Sequence, residues 1–422
     1  MKKRFTGIIA AALLAGAMAV TAQADGETLT MMLNCTESDS QYPYYKAIID
    51  GFNESNEFGV TIDCVYYQNS DYKNAMNTLM PSDSEPGIIF TWELGYLENY
   101  VNGGKIISLQ PYLDADPEWA ATFNEGVLDL LTYNGEVYGV PTQQSLGVMF
   151  YNTRIFEENG VEVPTTWDEF NQVCETLKAN GVTPITMAST PQDAWLVSQY
   201  IQEISNGIAG YDLFSSLADG TGAWNDPAFV EAAQLYMEQV NNGYFEEGFT
   251  GVNGDEAREF MRMGIAAMYF NGSWECAGLG DKEKCAEADN ISAFVMPKVN
   301  ADNTGVTLGS VDTSFAITQN CENVDAAVAF LKYWTNEENT KMLAYETRRL
   351  PCLNWELDAA QLSPLAATVL DCMKAQKNVT PWLDRVDADL GNEFNNQCVA
   401  ISNGDDPQAC FDALQAYVDS RQ

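Results

Sequence analysis

Strand and helix alternate through the first hundred residues, and this alternation limits the fold more than any other feature. Thr28 to Leu33 reads as a strand. Tyr45, Ile48, Ile49 and Phe52 mark one face of a helix, and Val60 to Tyr67 is a second strand. Such a strand–helix–strand unit calls for parallel strands and a right-handed crossover. Tyr72, Met76, Leu79 and Met80 suggest a further helix. Pro86-Gly87 then breaks the chain before Ile88 to Thr91, a short buried strand that ends at Trp92 and Glu93. Leu94 to Val101 is helical and stops at Gly103-Gly104. An open α/β sheet is expected, and ligands bind such sheets beyond the carboxyl ends of their strands. Asn34 to Glu37 and Trp92-Glu93 stand at such ends.

The stretch from Asn134 to Leu177 repeats the pattern in finer detail. Asn134-Gly135 signals a tight turn. Val137 to Tyr151 is rich in Val, Tyr, Phe and Leu without a helical period, so it reads as strand. Thr166 caps a helix, with Glu169 three residues on to reach back. Phe170, Val173, Cys174 and Leu177 then form one buried face, and Asn180-Gly181 stops the helix. Further on, Thr183 to Met187 is a strand, and helices fill Ala194 to Ser205, Pro227 to Asn241 and Asp255 to Met263. Ile265 to Phe270 is a buried strand followed by Trp274-Glu275, the same aromatic–carboxylate arrangement as Trp92-Glu93. Ile291 to Pro297 and Asp312 to Ile317 are further strands. Asp384 to Glu393 is acid-rich, lacks the ligand spacing of a calcium loop, and reads as a solvated turn.

Composition narrows the chemistry. The chain has no histidine, which excludes serine–histidine–aspartate triads, cysteine–histidine nucleophiles and histidine zinc sites. No C-x-x-C pair occurs, and no metal or cofactor is expected. A net charge of −39 disfavours nucleic acid and anionic membranes while permitting a cationic ligand. Lys2, Lys3 and Arg4, the apolar run Ile8 to Val20 and Ala22-Gln23-Ala24 form an export leader over 1–24. The apolar run is too short for a membrane span. No cysteine follows it directly, so a released periplasmic protein is expected rather than a lipid-anchored one. The ten cysteines suggest disulfides in that compartment. Cys276–Cys285 and Cys398–Cys410 are short-loop candidates, and Cys35 and Cys64 are placed to bridge neighbouring strands. Cys174 is expected as a buried thiol.

An aromatic ring beside carboxylates or amides suits a sugar: the ring covers the C–H face of a pyranose, and fixed polar groups take its hydroxyls. Trp92, Trp195, Trp224 and Trp274 are available. Tryptophans mostly serve cores, and position after a buried strand singles out Trp92 and Trp274. Paired carboxylates would also permit a glycosidase, but 60 acidic residues make some pairing inevitable.

Five ordered segments resemble one family. They are Gly135-Glu-Val-Tyr-Gly-Val-Pro141 running on to Gly160-Val-Glu-Val-Pro-Thr-Thr-Trp-Asp-Glu-Phe170; Pro86-Gly-Ile-Ile-Phe-Thr-Trp92 with Leu97 to Lys105; Gly264-Ile-Ala-Ala-Met-Tyr-Phe-Asn-Gly-Ser-Trp-Glu275; Gly309-Ser-Val-Asp-Thr-Ser-Phe-Ala-Ile317; and Asp325 to Trp334 with Glu346-Thr-Arg-Arg-Leu-Pro351. Together they resemble the carbohydrate-binding, maltose-binding-protein-like solute-binding proteins of ABC importers. The resemblance implies an α/β, two-lobe periplasmic-binding-protein fold of type II, with a ligand cleft between lobes joined by three crossovers. It implies a first lobe of 25–143 with 295–337 and a second of 144–294 with 338–422. Carried over by position, the cleft draws on Trp92, Gln143, Gln144, Trp274, Asp312 and Arg349, with Glu93, Trp195 and Glu275 as further candidates. The family often has an aromatic after the first strand, where this chain has Asn34-Cys-Thr-Glu37, so Tyr42 is a candidate replacement. The implied function is capture of a mono- or oligosaccharide by a non-enzymatic monomer and its delivery to a membrane permease. A polyamine carrier of the same fold and a secreted carboxylate glycosidase are the alternatives.

Overall fold

The computed structural model describes residues 27–421, so the expected leader over 1–24 lies outside the described residues. Strand Thr28–Asn34 runs parallel to both Thr61–Tyr67 and Ile88–Thr91. Helix Tyr42–Ser55 makes the first crossover and buries Tyr45, Ile48, Ile49 and Phe52, the expected face. Helix Trp167–Ala179 begins at the expected capping box, with Thr166 and Glu169 each accepting the other's backbone N–H. It buries Phe170, Val173, Cys174 and Leu177.

Two long strands carry the sheet from one lobe to the other. The sheet order is 61–67, 28–34, 88–91, 306–317, 140–152, 266–272, 183–186. Val306–Ile317 pairs antiparallel with Ile88–Thr91 through its last four residues and with Val140–Asn152 through its middle. The far half of Val140–Asn152 pairs antiparallel with Ala266–Gly272 and Ile291–Phe294. Gly147 sits at the handover, where a Cβ would come within 2.9 Å of the Leu308 Cβ. Leu350–Pro351 adds a third connection by pairing with Gln144 and Gln143. The first half of Val306–Ile317, with its Thr, Gly and Ser, lacks the apolar run that marked residues 312–317.

Two separate hydrophobic cores result. One holds Leu29, Ile89, Val140, Val311, Phe315 and Leu331; the other holds Leu146, Phe170, Phe270, Leu308 and Phe394. Met296 and Leu308 pack in the second core, while Leu343, Cys352 and Leu353 pack in the first. No helix among the described residues is long and apolar enough to cross a membrane.

The expected disulfides do not form, and all ten cysteines are free thiols. Cys64 lies opposite Met31, four positions from Cys35, so adjacent strands do not bring that pair together. The Cys285 thiol points to the Arg262 carbonyl, 3.7 Å away, rather than to Cys276. Cys398 and Cys410 are buried in the second core, one on each of two packed helices, without bonding. Burial pushes the Cys398 and Cys276 thiols well above their ordinary range, which suits apolar packing.

Candidate functional site

A cleft of about 750 Å³ opens between the lobes, within the size range of small-molecule sites. The first-lobe wall comes from the carboxyl ends of its strands. The loop after Thr28–Asn34 is tied by Asp39, which accepts from Thr36 N at 2.7 Å and Thr36 Oγ1 at 3.1 Å. Trp92 follows Ile88–Thr91 and lines the cleft, but its ring is already enclosed. Phe90 and Tyr96 lie 4.8 and 5.1 Å from it, and the Lys73 ammonium sits 5.0 Å from its centroid. Trp92 therefore offers an edge rather than an open face.

The second-lobe wall carries two half-buried aromatic rings. Trp274 follows strand Ala266–Gly272, and its ring folds back over Gly272, where a Cβ would collide with it. Trp195 starts helix Ala194–Ala209 and stands 5.9 Å from Trp274, which in turn meets Trp382 edge-on at 5.4 Å. Trp195 and Trp274 are half-buried and line the cleft; Trp382 is buried beneath them. Trp224 is a core residue, stacked parallel to Phe229.

Arg349 is aimed by the backbone. Helix Glu337–Thr347 ends at Arg348 in the left-handed region, φ 60°, which turns the next residue into the cleft. Arg349 donates to Asp312 at 3.0 Å. Asp312 reaches the cleft because the ladder with Val140–Asn152 is irregular between Val311 and Ser314. Such bulges re-aim side chains. Burial works against the Arg349 charge, but Tyr45 and then Asp312 beside it hold its pKa above the usual range.

Four expected residues do not line the cleft. Gln143 lies beneath Arg349, where its Oε1 accepts from Tyr45 at 2.7 Å, Thr313 at 3.2 Å and Arg349 at 3.4 Å. Its neighbour Gln144, on the opposite face of the same strand, donates to the Pro351 carbonyl at 2.9 Å. Successive strand residues point to opposite faces, so one register cannot present both. Glu93 is fully buried because Leu94, at φ 56°, turns the chain inward there. Both Glu93 oxygens accept from Arg385 at 3.0 Å, and Arg385 is the residue that lines the cleft. Glu275 does line it, but Arg258 donates to both its oxygens at 2.7 and 2.9 Å. That carboxylate, against the cost of burial, keeps Arg258 firmly charged. Tyr42 packs on Tyr66 instead of the cleft.

Several lining residues escaped the sequence reading: Lys73, Tyr96, Gln199, Arg258, Asp384 and Arg385. Gln199 follows Trp195 by one helical turn and was open to that inference. Asp384, expected in a solvated turn, is only 8% exposed, because Leu383–Arg385 forms a short 3-10 turn against the second core.

Relatives bear on this geometry. A multiple sugar-binding protein of Streptococcus mutans is 23% identical over 336 residues, 74% of this chain and 76% of the relative. A protein solved in work on xylan utilization by Caldanaerobius polysaccharolyticus superposes with a TM-score of 0.87 at 27% identity, covering 93% of this chain and all of its own. A chitin oligosaccharide binding protein superposes at 0.86 with 22% identity, covering 94% and 99%, and shares the two-lobe fold. The model of the bacterial extracellular solute-binding protein family matches residues 47–364, three quarters of the chain, and the chain belongs to that family.

Proposed function

We propose that this protein captures a mono- or oligosaccharide between its lobes and delivers it to the permease of an ABC importer. The observation that carries this reading is the pair Trp195 and Trp274, two half-buried rings on one wall of a polar cleft. A pyranose laid on them would hold its hydroxyl rim toward Arg349, Asp312 and the first-lobe loop. The sugar-binding names of the relatives support the same ligand class. A ligand that touches both walls only in the closed form shifts the population toward closure, and the permease reads that shape.

The carrier works without turnover. The acids expected at the site are committed to arginines: Glu93 to Arg385, Glu275 to Arg258 and Asp312 to Arg349. Those three are not free to serve as the carboxyl pair of a glycosidase. The lobes follow the two cores, with residues to 140, 311–343 and 352–353 in the first, and 146–308, Leu350 and 365–414 in the second. The expected leader and the family support export to the periplasm, where the protein acts as a monomer.

Thermal unfolding against neutral xylo-, chito-, malto- and arabino-oligosaccharides and spermidine tests the reading. A ligand bound only by the folded state raises the midpoint. A rise with one sugar class, with the sugar recovered unchanged, is the expected result. A salt-sensitive rise with spermidine alone, or sugar hydrolysis, overturns it.

A further inference from the structure

Within the sugar-carrier reading, we propose that Asp384 and Gln199 form the acceptor half of the ligand subsite. They select a ring that offers neighbouring hydroxyl donors and reject one that carries a carboxylate there.

Both residues line the cleft and both are buried, at 8% and 3% exposure. Asp384 Oδ1 and Gln199 Oε1 are each enclosed without a hydrogen-bond partner among the described residues. Buried acceptors are nearly always satisfied, and an empty one is a standing cost. The polypeptide around them is pinned. Gln202, one turn after Gln199, donates to the Pro381 carbonyl at 2.9 Å and accepts from Leu383 N at 2.9 Å. On the other side, Arg385 is held by Glu93 and by the Val311 carbonyl. Trp382 between them is fully buried beneath Trp274.

The segment thus leaves an unpaired carboxylate on the cleft that Trp274 also lines. Arg385, its neighbour in sequence, is spent on Glu93, and no ion pair neutralises Asp384 among the described residues. Gln199 stands one helical turn from Trp195, on the same helix face. A small turn of either side chain presents its unclaimed oxygen to the hydroxyl O–H donors of a neutral ring stacked on the tryptophans. A bond to the carboxylate is charge-assisted and the stronger of the two. An acidic sugar seated there would set its carboxylate against that of Asp384.

The test uses the full-length exported protein and whichever neutral oligosaccharide of the panel raises its midpoint. Asp384→Ala is expected to weaken that sugar at least twentyfold and Gln199→Ala at least threefold. Asp384→Asn keeps the shape and loses the charge, and a fivefold or greater loss is expected. Without sugar, Asp384→Asn should melt no lower than the parent, because the buried oxygen has no bond to lose. A merely structural role would instead lower the sugar-free midpoint. Asp384→Ala and Asp384→Asn that both bind within twofold of the parent overturn this assignment and leave the carrier reading intact. So does a uronic-acid oligomer that binds the parent as tightly as its neutral counterpart. A parent that responds to no sugar overturns both.

Discussion

One Arg385 nitrogen donates to both carboxylate oxygens of Glu93 at 3.0 Å, joining a strand end of the first core to the Leu383–Arg385 turn of the second. Glu93 is fully buried and the Arg385 side chain is 9% exposed. Breaking such a pair from one side leaves an uncompensated charge and costs roughly 3–5 kcal/mol. Glu93→Ala should lower the denaturation midpoint accordingly, while Glu93→Leu combined with Arg385→Met should cost less than the single change. Chemical denaturation of the three variants checks this; a single variant as stable as the parent would dismiss the pair.

Trp274 lies over Gly272, is half-buried and lines the cleft. Trp274→Ala should weaken sugar binding at least tenfold, in line with about 1.5–3 kcal/mol for burying a large apolar side chain. Its sugar-free far-ultraviolet spectrum should match the parent. Calorimetric titration decides, and unchanged affinity would remove Trp274 from the site.

At the cleft mouth, Ser40 donates to Asp281 at 2.9 Å and Lys284 donates to the Ser38 carbonyl at 2.6 Å, both across the lobes. Exposed polar contacts of this kind contribute about 0–1 kcal/mol each. Asp281→Ala with Lys284→Ala removes both and should therefore speed sugar release by up to about 25-fold, converting that energy at 1.4 kcal/mol per decade. Association should change little. Stopped-flow fluorescence separates the two rates, and an unchanged release rate would show that the rim does not hold the closed form.

Burial lifts the Glu246 carboxyl from 4.5 to about 7, although Thr186 and Met187 N donate to it. The folded protein then keeps a proton that the unfolded chain gives up between these values. Its contribution to stability falls as pH rises from about 4.5 to about 7 and is level above, a loss of roughly 3–4 kcal/mol. Glu246→Gln should be more stable than the parent at pH 8 and close to it at pH 4.5. Melting curves across that range check the difference; parallel curves would show that Glu246 titrates normally.

Much of the fold was legible because its causes are local. The faces of Tyr42–Ser55 and Trp167–Ala179 follow from helical period, and Thr166 with Glu169 closes its box within one turn. Trp92 and Trp274 were legible as strand-end residues. The leading site error was to treat neighbours in sequence as neighbours in the cleft: Gln143 with Gln144, Trp92 with Glu93. The cysteines misled for a similar reason, since spacing along the chain says little about register between strands.

By itself, then, the sequence determined the order of strands and helices, the buried face of each and the aromatic ends that flank a cleft. These depend on hydrophobic period, capping and turn chemistry acting over a few residues. Only the tertiary structure decided which polar groups remain free to bind. Glu93 is consumed by an arginine nearly three hundred residues away, and Asp384 keeps an oxygen unclaimed. A carboxylate's availability depends on which partners the fold brings within hydrogen-bonding distance, and those partners are remote in sequence.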